Sequence, residues 1–324
     1  MKLLRRRFLH LTVGAGALPV VSRLAWAETY PSRPIHLIVG FTPGAAADVT
    51  ARVLGESMGP LVGQQMVVEN KPGGGSSIAA DYVAHAANDG YTLFLATLSI
   101  IVNQIINPNA SFDMKRDLAP IALLSRGAVV LVVNPDSDLH SVADLIALAK
   151  AKPGQVLHAT VVGSLPHLAS ELFAQRAGIK FTQVPYQGSP QTVTDVIAGR
   201  ALCTFSPAST VVGQIAAGKL RALAVAANKR SSALPDVPTM AEAGIPDFDT
   251  SLWFGLLAPA GTPRPVIDKL ADAAQKAIHA PHTLETLRKQ GFEPLDGGPD
   301  KFADYIRSET ARWTAVAGAA GLRS

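Results

Sequence analysis

The sequence predicts an α/β protein of two lobes, each a mixed, mainly parallel β-sheet flanked by helices, with a ligand cleft between the lobes. Short apolar segments alternate with helical segments along the chain, a pattern typical of α/β folds. An apolar run at residues 121–133, interrupted at residues 125–127, is long for one strand. We therefore expect this run to pass from one lobe to the other, and an apolar strand at residues 253–258 to cross back.

Two crossings make each lobe discontinuous in sequence. We expect lobe 1 to contain residues 28–127 and 252–299, and lobe 2 to contain residues 128–251 and 300–324. The chain is long enough for two domains with their own cores. A cleft between two such lobes is a favoured site for a small ligand.

The first part of the chain contains signals for three strands and two helices, with proline and glycine marking the boundaries. The expected elements are a strand at 35–41, a helix from Pro43 and Gly44 to about Gly59, a strand at 65–70, a turn at 72–76, a helix to His85 and a strand at 91–96.

The same alternation continues to the end of the chain. Ser141 with Asp144, and Thr239 with Glu242, have the spacing of a capping box, which predicts a helix start at each pair. The other expected elements are helices at 166–176, 189–198, 208–217, 263–280 and from Pro299, and strands at 181–185, 202–205 and 221–226.

The first 27 residues have the pattern of an export signal. Arg5, Arg6 and Arg7 precede Phe-Leu, as in twin-arginine signals. A short apolar run follows and ends in Ala-Trp-Ala at residues 25–27, an A-x-A cleavage pattern. We therefore expect a twin-arginine signal peptide at residues 1–27, cleavage after Ala27 and a periplasmic mature protein; an uncleaved anchor is the alternative.

The basic charge of the whole chain belongs to this segment. The formal net charge is +4, and residues 1–27 contribute five basic residues and no acid, so the remainder carries −1. A nucleic-acid partner is therefore not expected. Cys203 is the single cysteine, which excludes an intramolecular disulfide, and the eight histidines are scattered, so we expect neither a metal site nor a cofactor.

The chain resembles the receptor proteins of tripartite tricarboxylate transporters, the Bug/TctC type. The resemblance extends from Tyr30 to Trp313 and the Ala-Gly pair at residues 320–321, and depends on the order of many short motifs. These motifs are YPSRPI (30–35), VENKPG (68–73), DGYTL (89–93), HLA and ELF (167–173), VPY with Gly188 (184–188), AGKLRALAV (217–225), LPDVPT with AEAG (234–244) and APAGTP (258–263).

The resemblance implies a two-lobed periplasmic binding protein fold of type II-like form, with a hinged cleft. It also implies that the ligand is a small carboxylate, held largely by main-chain groups and water, and that the partners are the membrane permease subunits of a transporter. The protein is then a receptor and not an enzyme. An alternative partner is the periplasmic domain of a sensor kinase, because signalling also needs ligand-dependent closure.

The segment between the first strand and first helix is the first candidate site. It lies at the carboxyl end of a strand, where α/β folds bind ligands. A helix start presents free N–H groups and a partial positive charge, so it can hold a carboxylate without Lys or Arg. Family members usually have glycines where this chain has three alanines. Because alanine resists positive φ, we expect helical geometry there, with the amides facing the cleft; a plain helix start is the alternative. The expected contacts are Phe41, Gly44, Ala45, Ala46 and Ala47.

Asp48 follows in the expected first turn, where the helix dipole favours a carboxylate whether or not a ligand binds. A ligand carboxylate beside it would be repelled. We expect Asp48 to hold the loop; a hydrogen bond to a ligand hydroxyl, amine or water is the alternative.

Lobe 2 and the end of the third strand provide the remaining candidates. Ser164 is expected to cap a helix, with its hydroxyl or the adjacent amides facing an anion. His167 is either a ligand donor or a structural hydrogen-bonding residue. Departures from the family at Ala159 and Val161 suggest fewer polar contacts, and Gln187 stands where family members often have a lysine. The other expected contacts are Gly163, Tyr186, Phe205, Ser206, Thr97 and Ser99. For Thr97 and Ser99 a place at the edge of the core is the alternative.

A remote alternative is a hydrolase with Ser164 as nucleophile and His167 as base, because the two residues are three apart. The surrounding sequence lacks a G-x-S-x-G elbow. The glycine-rich segment 73–76 also lacks the Gly-Lys-Ser/Thr of a phosphate-binding loop. The sequence therefore favours binding over catalysis.

Overall fold

The computed structural model describes residues 30–107 and 111–319, which form two β-sheets flanked by helices. The expected signal peptide and its cleavage point lie outside the described residues. The strands are β1 (Ile35–Val39), β2 (Met66–Asn70), β3 (Thr92–Thr97), β4 (Leu118–Gly127), β5 (Val129–Val133), β6 (Leu157–Thr160), β7 (Thr182–Pro185), β8 (Cys203–Pro207), β9 (Arg221–Val225), β10 (Leu252–Pro259) and β11 (Phe292–Gly297).

The helices alternate with these strands along most of the chain. None of them, within the described ranges, has the length and hydropathy that crossing a membrane requires. The helices are α1 (Ala46–Val62), α2 (Ser77–Ala84), α3 (Leu98–Ile106), α4 (Met114–Asp117), α5 (Val142–Ala151), α6 (Leu165–Ala177), α7 (Ser189–Ile197), α8 (Ala208–Ala216), α9 (Arg264–Ile278), α10 (Pro281–Lys289) and α11 (Pro299–Ala319).

The two sheets are mixed. Parallel pairing was expected to predominate, but it does not. The first sheet has the order β11-β4-β10-β3-β1-β2 and the second the order β7-β6-β8-β5-β9. Four of the nine neighbouring strand pairs in the described chain are parallel. Every antiparallel pair includes β4, β5 or β10, the strands at which the chain passes between sheets. The crossings therefore account for the mixed pairing.

The two crossings lie side by side. The first is the short link between β4 and β5, where Gly127 ends one sheet and Val129 begins the other. The second leads from β9 through a loop to β10, whose Leu252 pairs with Gly127. Paired crossings of this kind allow two rigid lobes to rotate about one narrow connection.

Helix α11 packs on the first sheet, whereas residues 300–324 were expected in lobe 2. Phe302 and Trp313 are almost fully buried, and the rings of Phe302 and Trp253 of β10 meet edge to face with centroids 5.6 Å apart. Gly255 provides the room, since a Cβ there would lie 2.2 Å from the Phe302 ring. The reason is the short connection: α11 follows directly after β11, which pairs with β4 in the first sheet.

The two expected capping boxes differ in outcome. The hydroxyl of Ser141 accepts a hydrogen bond from the amide of Asp144 at the start of α5. Thr239 and Glu242 make both reciprocal bonds, but only a turn follows them, because Gly244 adopts φ +93°. The local hydrogen bonds were therefore predicted correctly and the second helix was not.

A buried histidine lies in the core of the second sheet. His158 is fully buried, and its ring stacks on Phe181. Its Nε2 accepts a hydrogen bond from the amide of Phe205, so Nδ1 carries the proton donated to Oε1 of Gln183. Burial lowers the pKa of His158 to about 4. The imidazole is therefore neutral in the folded protein at neutral pH.

We predict that acid destabilises the protein through His158. Between about pH 6.5 and about 4 the unfolded chain binds a proton that the folded chain does not, so the free energy of unfolding falls as the pH decreases. The expected loss is about 3 kcal/mol at the lower pH, at about 1.4 kcal/mol per pKa unit. Urea unfolding across this range should show that loss in the wild type and a smaller one in His158→Gln. Equal losses would contradict the assignment.

Candidate functional site

A narrow cavity lies where the two lobes meet. Its volume is about 30 Å³, room for about two water molecules. Both lobes and the crossing strand β10 contribute to its wall. The lining residues are Phe41, Ala45, Ala46, Ala47, Thr97, Ser99, Val161, Ser164, Pro166, Ser189, Pro207, Leu252 and Phe254.

The first turns of five helices of the described chain converge on this cavity. No Lys, Arg, His, Asp or Glu is among the residues that line it. Because helix starts carry partial positive charge and unpaired N–H groups, their convergence attracts an anion without a charged side chain. The contributing residues are Ala45–Ala47 of α1, Thr97 and Ser99 of α3, Ser164 and Pro166 of α6, Ser189 of α7 and Pro207 of α8.

Helix α1 begins later than expected. Ala45 is extended, with φ −70° and ψ 159°, and its N–H donates to the carbonyl of Thr42 at 3.1 Å. The expectation that Ala45 is helical and offers its amide to the cleft is therefore wrong. The amides of Ala46, Ala47 and Asp48 belong to the first turn, where no earlier helical carbonyl can accept them. All three alanines remain among the residues that line the cavity.

The carboxylate of Asp48 holds the loop that precedes α1. It accepts hydrogen bonds from the amide of Gly44 at 3.0 Å, from Arg52 at 2.9 and 3.1 Å and from Asn70 at 3.0 Å. Asn70 also donates to the carbonyl of Phe41 at 2.9 Å, which closes the network. Burial opposes the charged form, but these donors outweigh it and hold the pKa of Asp48 below its ordinary value. Gly44, at φ +78°, and Asp48 are absent from the cavity wall and position the alanines.

Lobe 2 contributes a hydroxyl where amides were also expected. The amide of Leu165 donates to Oγ of Ser99 across the cleft at 3.1 Å, and Pro166 has no N–H. Oγ of Ser164 is buried and has no hydrogen-bond partner within the described ranges. Thr97 caps α3 by accepting from the amide of Ser99 at 3.2 Å. Ser164 therefore has a hydroxyl on this side that is free to bind a ligand.

Ser164 and His167 do not form a nucleophile–base pair. Nδ1 of His167 accepts from the amide of Gly163 at 3.4 Å, and Nε2 lies 3.9 Å from the carboxylate of Glu171. Burial lowers the pKa of His167, so the ring is neutral at neutral pH. Neither His167 nor Gly163 lines the cavity. Gly163 lies at the contact between the lobes, where a Cβ added to Gly75 would be 2.4 Å from the carbonyl oxygen of Gly163.

Three other expected contacts lie elsewhere. Phe205 is buried among Phe173 and Phe248 in the lobe 2 core, because it points to the opposite face of β8 from Ser206. Ser206 is fully buried and is not part of the cavity wall. Tyr186 is half-buried in an adjoining space and donates its hydroxyl hydrogen to Asp195.

Six lining residues were not among the expected contacts. Ser189 followed by Pro190 repeats the pattern of Ser164 to Pro166, a helix start with an early proline, so this signal was available in the sequence. Leu252 and Phe254 belong to β10, whose position between the lobes depends on the sheet order. The six are Val161, Pro166, Ser189, Pro207, Leu252 and Phe254. No group of three or more potential metal ligands occurs in the part of the chain that the structure describes.

We predict that Asp48→Ala destabilises the protein by about 3 kcal/mol, because it leaves the donors of Gly44, Arg52 and Asn70 without their charged acceptor. The matched control is Asp268→Ala, which removes an exposed carboxylate paired with Arg264 and should cost about 0.5 kcal/mol. Chemical denaturation measures both values. Equal losses in the two variants would show that Asp48 is an ordinary surface charge.

The sequence matches the family described as tripartite tricarboxylate transporter family receptor over residues 50–322. The protein BugT of Bordetella pertussis (strain Tohama I) is 38% identical over 300 residues, which cover 92% of each chain. The UPF0065 protein in the tcbD-tcbE intergenic region of Pseudomonas sp. (strain P51) is 38% identical over 288 residues, 88% of this chain and 86% of that protein.

Solved structures of similar proteins have the same fold. The periplasmic binding protein BugD is 29% identical with a TM-score of 0.88, covering 91% of this chain and 99% of that one. R. palustris Rpa4515 with adipate is 34% identical, with a TM-score of 0.87 and coverage of 90% and 98%. MatC from Rhodopseudomonas palustris with bound malate is 28% identical, with a TM-score of 0.85 and coverage of 89% and 99%. The chain therefore has the two-lobed periplasmic binding protein fold and belongs to the tripartite tricarboxylate transporter receptor family.

Proposed function

We propose that this chain is an exported receptor that closes its two lobes around the carboxylate of a small organic acid and presents it to membrane permease subunits. The convergence of five helix starts in the described chain on one cavity without a charged side chain carries the proposal. The solved neighbours that contain adipate and malate support a carboxylate ligand. The arginine-rich segment at residues 1–27 supports export.

The carboxylate is held by backbone donors of lobe 1 and a hydroxyl of lobe 2. Ala46 and Ala47 of α1 and Ser164 of α6 all line the cavity. Each helix-start contact contributes about 0.3–1 kcal/mol, or about 2 kcal/mol when partly buried. Exclusion of water on closure strengthens every one of them. Recognition without a fixed cation leaves the acid free to be released when the lobes separate.

Closure brings three pairs of segments into contact. Leu165 bonds to Ser99, Gly75 touches Gly163, and Gly188 lies so close to Thr42 that a Cβ would be 2.0 Å from its hydroxyl. In this closed arrangement the cavity is too small for an acid the size of adipate to enter. The ligand therefore enters while the lobes are apart, and the lobes adjust around it as they close.

The same geometry supports binding over catalysis. Oγ of Ser164 lacks a base, because Nδ1 of His167 is directed to the amide of Gly163. Catalysis by this pair would require His167 to leave that contact. The family is one of solute receptors, which agrees with a binding role.

We predict that Ala46→Pro weakens acid binding about tenfold, because it deletes one first-turn amide. Proline is compatible with the first position of a helix, and Ala45 before it is already extended. Ala46→Val is the matched control, since it adds similar bulk and keeps the N–H. A thermal-shift panel of aliphatic, hydroxy and aromatic carboxylates first identifies the acid, and calorimetry then compares the variants. Equal affinities in Ala46→Pro and Ala46→Val would contradict amide recognition.

We predict that Gly75→Ala prevents full closure, since its Cβ would lie 2.4 Å from the Gly163 carbonyl oxygen. Gly218→Ala is the control: both glycines have positive φ, +59° and +67°, but nothing lies within 4 Å of a Cβ at position 218. X-ray scattering with the acid found in the panel should show compaction in the wild type and Gly218→Ala but not in Gly75→Ala. Compaction in all three proteins would show that the Gly75–Gly163 contact is not needed.

A further inference from the structure

A second space adjoins the cavity between the lobes. Its volume is about 300 Å³, within the range of small-molecule sites. Phe41 of lobe 1 and Val161 of lobe 2 line both spaces, so the two spaces meet at these side chains. Because the two residues belong to different lobes, a molecule bound between the open lobes can extend from one space into the other.

Ser76 in this space has an unusual backbone and an unused hydroxyl. It adopts φ +82°, a region that residues other than glycine rarely occupy. It is fully buried, and its Oγ has no hydrogen-bond partner among the residues that the structure describes. Strained residues of this kind cluster at ligand sites, and a buried hydroxyl normally has a partner. Because Ser76 lines the second space, a molecule bound there can supply this partner.

The second space differs from the first in its electrostatics. Its lining, in the described part of the chain, contains no ionisable side chain other than the phenol of Tyr186. That phenol is bonded to the carboxylate of Asp195, whose charge is already paired with Arg200. One helix, α2, begins at this space with Ser76 as its cap, whereas five begin at the first cavity. The second space thus offers donors to an oxygen atom but little to neutralise a second negative charge.

We propose that the second space holds the far end of the ligand, and that this end is an uncharged hydrogen-bond acceptor such as a hydroxyl, keto or carboxamide oxygen. The inference rests on the proposed function, which places the carboxylate in the first cavity. The solute class is then an elongated monocarboxylate with a polar, neutral end. Ser76 Oγ is the group that recognises this end, and Phe41 and Val161 pack against the chain between the two ends.

The ligand test uses straight-chain acids from butanoate to heptanoate, each as the plain acid, its ω-amide and its ω-carboxylate, with the full-length mature protein in calorimetry. At the best chain length, the ω-amide should bind about tenfold more tightly than the plain acid or the diacid of the same length. The inference is overturned if the diacid or the plain acid binds as tightly as the ω-amide, or if no compound of the series binds.

The same series separates the inference from the proposed function. If plain acids bind and the ω-amide binds no more tightly, the inference fails but the proposed function stands. Diamides that bind as tightly as ω-amides contradict the proposed function itself.

The protein test uses Ser76→Gly, which removes the hydroxyl at a position where glycine is favoured. The ω-amide should lose about fivefold in affinity, the loss expected for one neutral hydrogen bond, and the plain acid should lose little. The matched control is Asp247→Gly, which relieves the same kind of backbone strain at an exposed residue with φ +54° and should change neither affinity. An unchanged affinity of Ser76→Gly for the ω-amide would overturn the role of Ser76.

Discussion

The site depends on the orientation of helix starts, since backbone dipoles are its only substantial source of positive potential within the described residues. Ala46 and Ala47 present unpaired amides, and Thr97, Ser164 and Ser189 place hydroxyl-bearing residues around the same point. A single helix start attracts an anion weakly, whereas several aimed at one small, enclosed volume reinforce each other with little screening by solvent. The fold produces this convergence because strands of both sheets end, and helices begin, at the lobe interface.

The rest of the molecule keeps these helix starts in position. Asp48 fixes the loop before α1 through Gly44, Arg52 and Asn70, so the buried charge near the site is balanced within lobe 1 and does not face the ligand. The paired crossings at Gly127 and Leu252 form a narrow connection of the kind about which lobes can rotate. Glycine at position 75 allows the backbones to touch when they close. In the proposed receptor, ligand affinity and release thus depend on the geometry of the lobes, since the cavity wall, as the described residues form it, has no Lys, Arg, His, Asp or Glu.

The sequence predicted most of the fold, because apolar segments, prolines and glycines mark where buried strands end and helices begin. It did not predict α3, since β3 continues into it through a largely apolar stretch without proline or glycine, or β11, which contains Pro294 and Gly297. Of the candidate site, Phe41, the alanines, Thr97, Ser99 and Ser164 line the cavity. The cavity wall does not include Phe205, Ser206 or His167. The direction of such side chains depends on strand alternation and on the rotation of the helix, and neither can be inferred from a position near a turn in the sequence. To predict that Leu252 and Phe254 line the cavity, one would need to know the order of the strands in the sheets.

A crystal structure of the protein with the best-binding acid from the thermal-shift panel is the most direct measurement of the central claim. The account predicts a carboxylate oxygen within hydrogen-bond distance of the amides of Ala46 and Ala47, the hydroxyl of Ser164 on the opposite side, and no Lys or Arg in contact with the acid group. A carboxylate paired with a basic side chain, or bound outside the lobe interface, would contradict it.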